Sequence, residues 1–313
     1  MAFLFWEGNG PRAAGMLCPL PPALTGIESM RIAYQGEPGA FSEAAARRIS
    51  PDAPLVACRT FEEVFASVEA DSTEYGVVPI ENSIGGSIHR NYDLLVEHHL
   101  PIVGEVELPV VHHLLALPGA SMERLRRVYS HPQALAQCER FLRTLSGVEI
   151  IATYDTAGSA KLVADEHLED AAAIASARAG EVFGLAPLAS AIQDFHDNLT
   201  RFLVIGRRPF NDSVPDKTSI VFSLPNEPGA LFKALSAFAL RGIDLTKLES
   251  RPIPGRPWEY LFYVDMASAR EELPCARALA HLAEFAPTLR ILGSYASWKT
   301  RESRLPDPFE VVS

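Results

Sequence analysis

Tyr75-Gly76-Val77-Val78-Pro79-Ile80-Glu81-Asn82-Ser83 decides the fold class. Its apolar first part, Tyr75–Pro79, is short and continuous, the pattern of a buried strand. Its last part is a polar triplet, Glu81-Asn82-Ser83, placed where a strand's C-terminal end would line a cleft. Upstream, Thr60 and Glu63 form a capping box, and Phe61, Val64, Phe65 and Val68 fall at i, i+3, i+4 and i+7, the apolar stripe of a helix. Strand and helix patterns alternate in this way from Arg31 to Gly206. The other strand candidates are Ile32–Tyr34, Ile102–Val106, Val110–Ala116, Val128–Ser130, Val148–Ala152, Ala172–Ala175 and Phe202–Ile205. A further helix is predicted from Pro132 to about Leu145, with proline at its first position. Such alternation predicts an α/β fold with largely parallel sheets.

The pattern changes after Pro209–Asp216, a polar stretch with two prolines that suits a linker. Thr218–Leu224 reads as a strand and Pro225–Gly229 as a turn. Ala230–Arg241 reads as a helix, with Leu231, Leu235 and Phe238 on one face and Gly242 as its C′ residue. Strand Ile243–Glu249, loop Arg251–Pro257, strand Glu259–Met266, a helix over roughly Cys275–Phe285 and strand Leu289–Tyr295 follow. The order is βαββαβ, a ferredoxin-like domain. The expected organisation is a first domain over 30–210 and a second domain over 217–298, between a disordered or non-native tail at 1–29 and a C-terminal tail at 299–313.

Across 313 residues, 48% are hydrophobic and 21% charged, as in ordinary globular proteins. The net charge of −11 argues against nucleic acid or an anionic membrane as partner. No apolar run approaches the roughly 18 residues that a membrane helix needs. Met1–Trp6 is apolar but lacks a basic flank and is interrupted by Gly8, Gly10 and Pro11, unlike a secretory signal. Few Arg and Ser residues there argue against an organelle transit peptide, so the expected location is cytoplasmic. Cys18, Cys58, Cys138 and Cys275 are scattered without a CxxC pair, which predicts reduced, mostly buried thiols. His98–His99 and His112–His113 lack i,i+4 metal-ligand spacing, and no metal is expected.

Five helix starts in the first domain place a small hydroxyl or amide residue after a strand: Gly39–Ser42, Glu81–Ser87 with Gly85–Gly86, Ser130–Gln133, Asp155–Thr156 and Ser176. Free N–H groups and the positive dipole end suit a carboxylate there, although any one of them is equally an ordinary cap. α/β ligands collect at strand C-terminal ends, which favours the first reading for the set. In Asn198-Leu199-Thr200-Arg201-Phe202, Thr200 could donate to a leaving oxygen and Arg201 supplies a permanent cation for a carboxylate. The alternative is a β-branched residue opening a strand beside a surface arginine. Ser-x-x-Lys, GxSxG, P-loop and HExxH motifs are absent, and Tyr34–Gly39 lacks the GxGxxG of a dinucleotide site.

At these residues the sequence resembles the prephenate dehydratase family, including the plastid arogenate dehydratases. The matching stretches run from Tyr34-Gln35-Gly36 and Gly39-Ala40-Phe41-Ser42 through Val78–Ser83 with Gly86-Ser87, Ser130–Leu135, Asp155-Thr156-Ala157, Ala173–Ser176 and Asn198–Phe202. Gly229-Ala230-Leu231-Phe232 and Glu249-Ser250-Arg251-Pro252 look like the two phenylalanine-binding motifs of the family's ACT domain, with Phe232 where the family usually has Val. Ile88–Asp93 and Gly104-Glu105-Val106 look like the plant-type branch.

The resemblance implies a catalytic domain of two lobes, like a periplasmic binding protein, with the active site between them. It also implies a homodimer or homotetramer with phenylalanine as effector at Asn226, Gly229–Phe232 and Glu249–Pro252. For the chemistry it implies Thr200 as the acid-like donor and Ser42, Asn82, Ser83, Ser87, Gln133, Thr156, Ser176, Arg201 and Phe202 as substrate contacts. Glu81 would orient Asn82 or Thr200, or act as a protonated carboxyl. The implied reaction is decarboxylating dehydration of prephenate to phenylpyruvate without cofactor, with arogenate as the alternative substrate. A non-catalytic amino-acid sensor is the rival from another class.

Overall fold

The computed structural model describes residues 30–210, 213–253 and 255–302, which form two α/β lobes and a ferredoxin-like domain. The tail expected at 1–29, Cys18, and residues 303–313 lie outside the described residues.

Lobe 1 begins with β1 (Ile32–Gln35), α1 (Phe41–Ile49), β2 (Leu55–Cys58), α2 (Phe61–Glu69), β3 (Tyr75–Asn82), β4 (Gly86–Ser87), α3 (His89–Glu97) and β5 (Ile102–Pro109). β3 is buried along Tyr75–Ile80, as its unbroken apolar run requires. Thr60 Oγ1 accepts from Glu63 N at 3.2 Å, and Glu63 reaches back to Arg59 N at 2.7 Å, one residue beyond the expected capping box.

The chain then crosses to lobe 2. This lobe holds β6 (His113–Ala116), β7 (Arg127–Ser130), α4 (Pro132–Gln137), α5 (Glu139–Leu142), β8 (Glu149–Ala152), α6 (Thr156–Asp165), β9 (Ala171–Ala175), α7 (Ala177–Phe183) and β10 (Ala186–Ala189). A single helix over Pro132–Leu145 is not formed: Cys138, at φ −117° and ψ 22°, ends α4 and starts α5. The chain returns to lobe 1 as β11 (Leu199–Gly206).

The expectation of largely parallel sheets is corrected. The lobe 1 sheet runs β2-β1-β3-β11-β5, and only its β1–β2 and β1–β3 pairs are parallel. The lobe 2 sheet, β10-β6-β9-β7-β8, is parallel only at β7–β8 and β7–β9. The double crossing is the cause in lobe 1. β5 leaves the lobe and β11 comes back beside it, so the two must run in opposite directions.

The ferredoxin-like unit, which the resemblance implies is an ACT unit, follows as β12 (Lys217–Ser223), α8 (Ala230–Ala239), β13 (Leu245–Pro252), β14 (Tyr260–Met266), α9 (Leu273–Ala283) and β15 (Thr288–Tyr295). Its sheet is antiparallel, ordered β13-β14-β12-β15. One face, with Ile220, Phe222, Val264 and Met266, packs on α8 and α9. The other, with Val221, Tyr263, Leu292 and Tyr295, shares a core with Tyr92, Leu95 and Ile102 of lobe 1. Gly242 has φ +66°, but the helix already ends at Leu240, so it stands one residue past C′. The tail expected from 299 begins inside α10 (Trp298–Glu302), where Trp298 is buried and its N–H donates to Glu105 Oε1 at 3.0 Å.

Candidate active site

A cavity of about 410 Å³ opens between the lobes. Helix starts converge on it. Ala40–Ser42 from α1, His131 and Gln133 from α4, and Asp155–Thr156 from α6 all line it. The cap chemistry differs from helix to helix. Asp155 caps α6 by accepting from Gly158 N, and His131 Nδ1 accepts from Gln133 N at 3.2 Å. α1 starts at Ala40 without a side-chain cap, which leaves Ser42 free of that duty.

Thr200 and Phe202 face the cavity from β11 and Asn82 faces it from β3. Thr200 and Asn82 are cross-strand partners, and the register shifts between Arg201 and Phe202, a bulge beside the site. The Asn82 amide nitrogen donates to Thr200 Oγ1 at 2.9 Å. Its carbonyl oxygen accepts from the backbone N–H groups of Ile84 at 3.1 Å and Gly85 at 2.7 Å, so the amide cannot be turned over. Thr200 oxygen is thus already an acceptor, and the threonine's own proton is available to the cavity. His112 and Gln137, which sequence reasoning missed, also line the cavity. For Gln137 a signal existed: it stands four residues after Gln133 on one face of α4.

Six of the expected site residues therefore meet at one cavity: Ser42, Asn82, Gln133, Thr156, Thr200 and Phe202. The others do not, and their placement corrects the expectation. A strand turns successive side chains to opposite faces, so Arg201 and Glu81 point away from Thr200 and Asn82. Arg201 donates to Asp265 of β14 at 2.7 Å and lies 3.4 Å from Glu81 and 3.3 Å from Glu105. Glu81 also receives Lys247 of β13 at 2.7 Å. Ser83 accepts from Leu199 N at 2.9 Å and donates to Asp197 O at 3.0 Å, tying the return crossing to β3. Ser87 donates to Glu249 of the ACT unit. Ser176 caps α7 through Ala179 N and donates to Gly39 O at 2.6 Å, a bond between lobes.

Electrostatics divide along the same line. Arg201, Glu81, Glu105, Asp265, Lys217 and Lys247 form a charged junction between lobe 1 and the ACT unit. Burial alone would raise the Asp265 pKa, but Arg201 and Lys217 hold it below the usual carboxylate value. Burial opposes the charge on Arg201 as well, and Asp265 and Glu105 overcome it, so the guanidinium is held charged. The cavity itself, among the described residues, has no lysine or arginine in its lining. Burial lowers the pKa of His112, and also that of His131, where Asp155 pulls the other way. Cys58, Cys138 and Cys275 are buried free thiols with raised pKa, Cys138 up to about 12.

In the ACT unit, Gly229 is left-handed at φ +81° and opens α8, with Ala230 buried and Leu231 and Phe232 exposed. Glu249–Pro252 was expected to leave its strand for a loop; all four residues belong to β13. Glu249 faces lobe 1 with Ser87, and Arg251 pairs there with Asp93 of α3 at 2.8 Å. Ser250 and Pro252 alternate onto the opposite face and are exposed.

The profile described as prephenate dehydratase matches residues 32–210, and that of the ACT domain matches 218–273. The chain belongs to the prephenate dehydratase family. Arogenate dehydratase/prephenate dehydratase 2, chloroplastic, of Arabidopsis thaliana is 52% identical over 277 residues, spanning 85% of this chain and 72% of that one. Arogenate dehydratase 2 of Petunia hybrida is 49% identical over 304 residues, covering 89% and 77%. The prephenate dehydratase of Arthrobacter aurescens, solved in complex with L-Phe, aligns with a TM-score of 0.79 at 32% identity, over 86% of this chain and 91% of that one. This member of the prephenate dehydratase family is an enzyme, a hydro-lyase of phenylalanine biosynthesis. The cytoplasmic expectation is overturned here, because relatives sharing about half its residues are chloroplastic.

Proposed function

We propose that the inter-lobe cavity converts prephenate to phenylpyruvate with the Thr200 hydroxyl as donor to the departing hydroxyl. The ring carboxylate leaves as carbon dioxide, its electron pair enters the ring, and the ring C–O bond breaks as that oxygen takes a proton. Water, carbon dioxide and an aromatic product result, and the proton is restored to Thr200 from solvent. Aromatisation drives the reaction downhill, so the site needs no strong nucleophile. It needs a positioned donor and a fixed electrostatic frame. The observation that carries this reading is the Thr200 hydroxyl, whose oxygen already accepts from Asn82 and whose proton is left for the cavity. With no lysine or arginine in the lining among the described residues, the substrate's carboxylates fall to the N-termini of α1 and α6, helices of nine and ten residues, together with Ser42, Gln133 and Thr156. An ultraviolet assay for phenylpyruvate formed from prephenate tests the proposal, and absence of that product from the folded protein would sink it.

Arogenate, giving phenylalanine directly, is the second reading. It is favoured by the names of the Arabidopsis and Petunia relatives. Kinetics with the two substrates side by side separate them.

Phenylalanine is the proposed effector, bound by the ACT unit around Asn226, Gly229–Phe232 and Glu249–Pro252. The phenylalanine complex of the Arthrobacter relative supports this. β13 is the route to the catalytic lobes, because Glu249 and Arg251 already hold Ser87 and Asp93. A homo-oligomer formed through this unit is supported by the exposed Phe232 on α8 and Leu248 on the edge strand β13, and light scattering of the purified chain checks it.

A further inference from the structure

Two backbone N–H groups fix more than one side chain. Because Ile84 N and Gly85 N can only donate, Asn82 must present its oxygen to them and its nitrogen to the other side. That nitrogen lies 2.7 Å from Asn198 Oδ1 as well as 2.9 Å from Thr200 Oγ1. With its oxygen engaged, Asn198 turns its nitrogen to Gln137 Oε1 at 3.0 Å. Gln137 Oε1 also lies 2.9 Å from His112 Nε2, and an amide oxygen cannot donate, so Nε2 carries the imidazole proton. His112 Nδ1 is then bare, and it is a buried atom with no hydrogen-bond partner. Turning any amide over would set nitrogen against nitrogen or oxygen against oxygen. The chain of bonds has one direction.

Its members come from both lobes and both crossings. Asn82 ends β3 of lobe 1, His112 lies between β5 and β6 on the outward crossing, Gln137 ends α4 of lobe 2, and Asn198 precedes β11 on the return. All are buried, so solvent does not compete for these bonds. We infer that Asn198, Gln137 and His112 are positioning residues for the dehydration, because they anchor the nitrogen end of Asn82, whose direction Ile84 N and Gly85 N set, against Thr200 Oγ1 and so leave the Thr200 proton directed at the cavity. The relay ties that proton to the arrangement of the lobes, since Gln137 moves with lobe 2 and Thr200 with lobe 1. This rests on the reading of Thr200 as donor.

Nitrogen-15 NMR of the 313-residue chain tests the relay without reference to activity. A His112 imidazole protonated on Nε2 is expected, and protonation on Nδ1 would overturn the relay. Kinetics supply the second arm, with folding checked by circular dichroism. Gln137→Met removes the acceptor shared by Asn198 and His112 and should lower kcat on the order of 10-fold or more, with KM within about threefold. His112→Phe should show a similar loss, and His112→Gln, whose amide nitrogen can donate where Nε2 did, should recover most of it. A folded Gln137→Met of wild-type kcat, beside a Thr200→Val variant that has lost activity, overturns the relay and leaves the donor standing. Full activity in Thr200→Val overturns the donor itself.

Discussion

Thr200 and Arg201 are adjacent, yet a strand's period of two gives them to different machinery. Thr200 meets Asn82 and the cavity, and Arg201 meets Asp265 and the ACT unit. The same alternation separates Asn82 from Glu81 on the paired strand. Gly85 carries a consequence at this scale. A Cβ there would stand 1.9 Å from Gln133 Nε2 and 3.2 Å from Asn82 Oδ1, so Gly85→Ala must displace the Gln133 amide from its present place in the cavity. Raised KM is expected, by about 10-fold if one substrate hydrogen bond worth about 1.4 kcal/mol is lost. Unchanged KM in a steady-state assay would remove Gln133 from the substrate contacts. Asp265→Asn leaves Arg201 with weaker compensation in a buried setting. Breaking such a pair costs roughly 3–5 kcal/mol when a charge is left unpaired, but Glu81 and Glu105 remain within reach of this guanidinium, so a smaller drop in melting temperature is expected.

At the level of elements, β13 is the piece whose two faces do different work. Lys247, Glu249 and Arg251 turn to lobe 1, and Leu248, Ser250 and Pro252 turn away. Gly229→Trp, at a left-handed position that L side chains resist, should abolish the response to phenylalanine while turnover in its absence persists. Inhibition curves for the two proteins check this, and retained inhibition would move the effector site elsewhere. Much of this architecture was legible. The apolar run of β3 and the βαββαβ order stand in the sequence with nearly their observed bounds. β2 was missed because Leu55–Cys58 is only four residues, half-buried, next to Pro54. β10 was missed because Pro187 reads as a breaker, though proline is tolerated on an edge strand. Pairing direction was not legible, since it depends on which lobe a strand returns to. The opposite facing of Thr200 and Arg201 was legible from strand period alone, and reading the two as one polar motif obscured it. Asn198 was legible only as the start of the Thr200 motif and His112 only as half of a histidine pair, and their roles were not legible because their partners are distant in sequence.

For the whole molecule, two lobes enclose a cavity lined by helix ends, amides, hydroxyls, the imidazoles of His112 and His131 and the Asp155 carboxylate, and an ACT unit grips the outer face of the sheet that carries Thr200. Among the described residues no cluster of three or more His, Cys, Asp or Glu side chains could hold a metal ion. Activity is expected to survive a chelator, and loss restored by a divalent ion would contradict that. Burial lowers the pKa of His112, His113 and His131 from 6.5, so the folded chain binds fewer protons than the unfolded chain in mild acid. Stability therefore rises with pH across that window and levels off once unfolded histidines are neutral, near pH 7. Melting temperatures between about pH 5 and pH 8 should show the rise and the plateau, and His112→Gln should flatten the rise. In the proposed mechanism the Thr200 proton, held toward the inter-lobe cavity, makes the substrate hydroxyl a leaving group. Its most direct test is steady-state turnover of Thr200→Val, which keeps the shape and removes the hydroxyl, measured with both prephenate and arogenate. A kcat lower by about 10²-fold, with KM close to wild type and Thr200→Ser in between, is the expected result. Wild-type kcat in Thr200→Val on either substrate would contradict it.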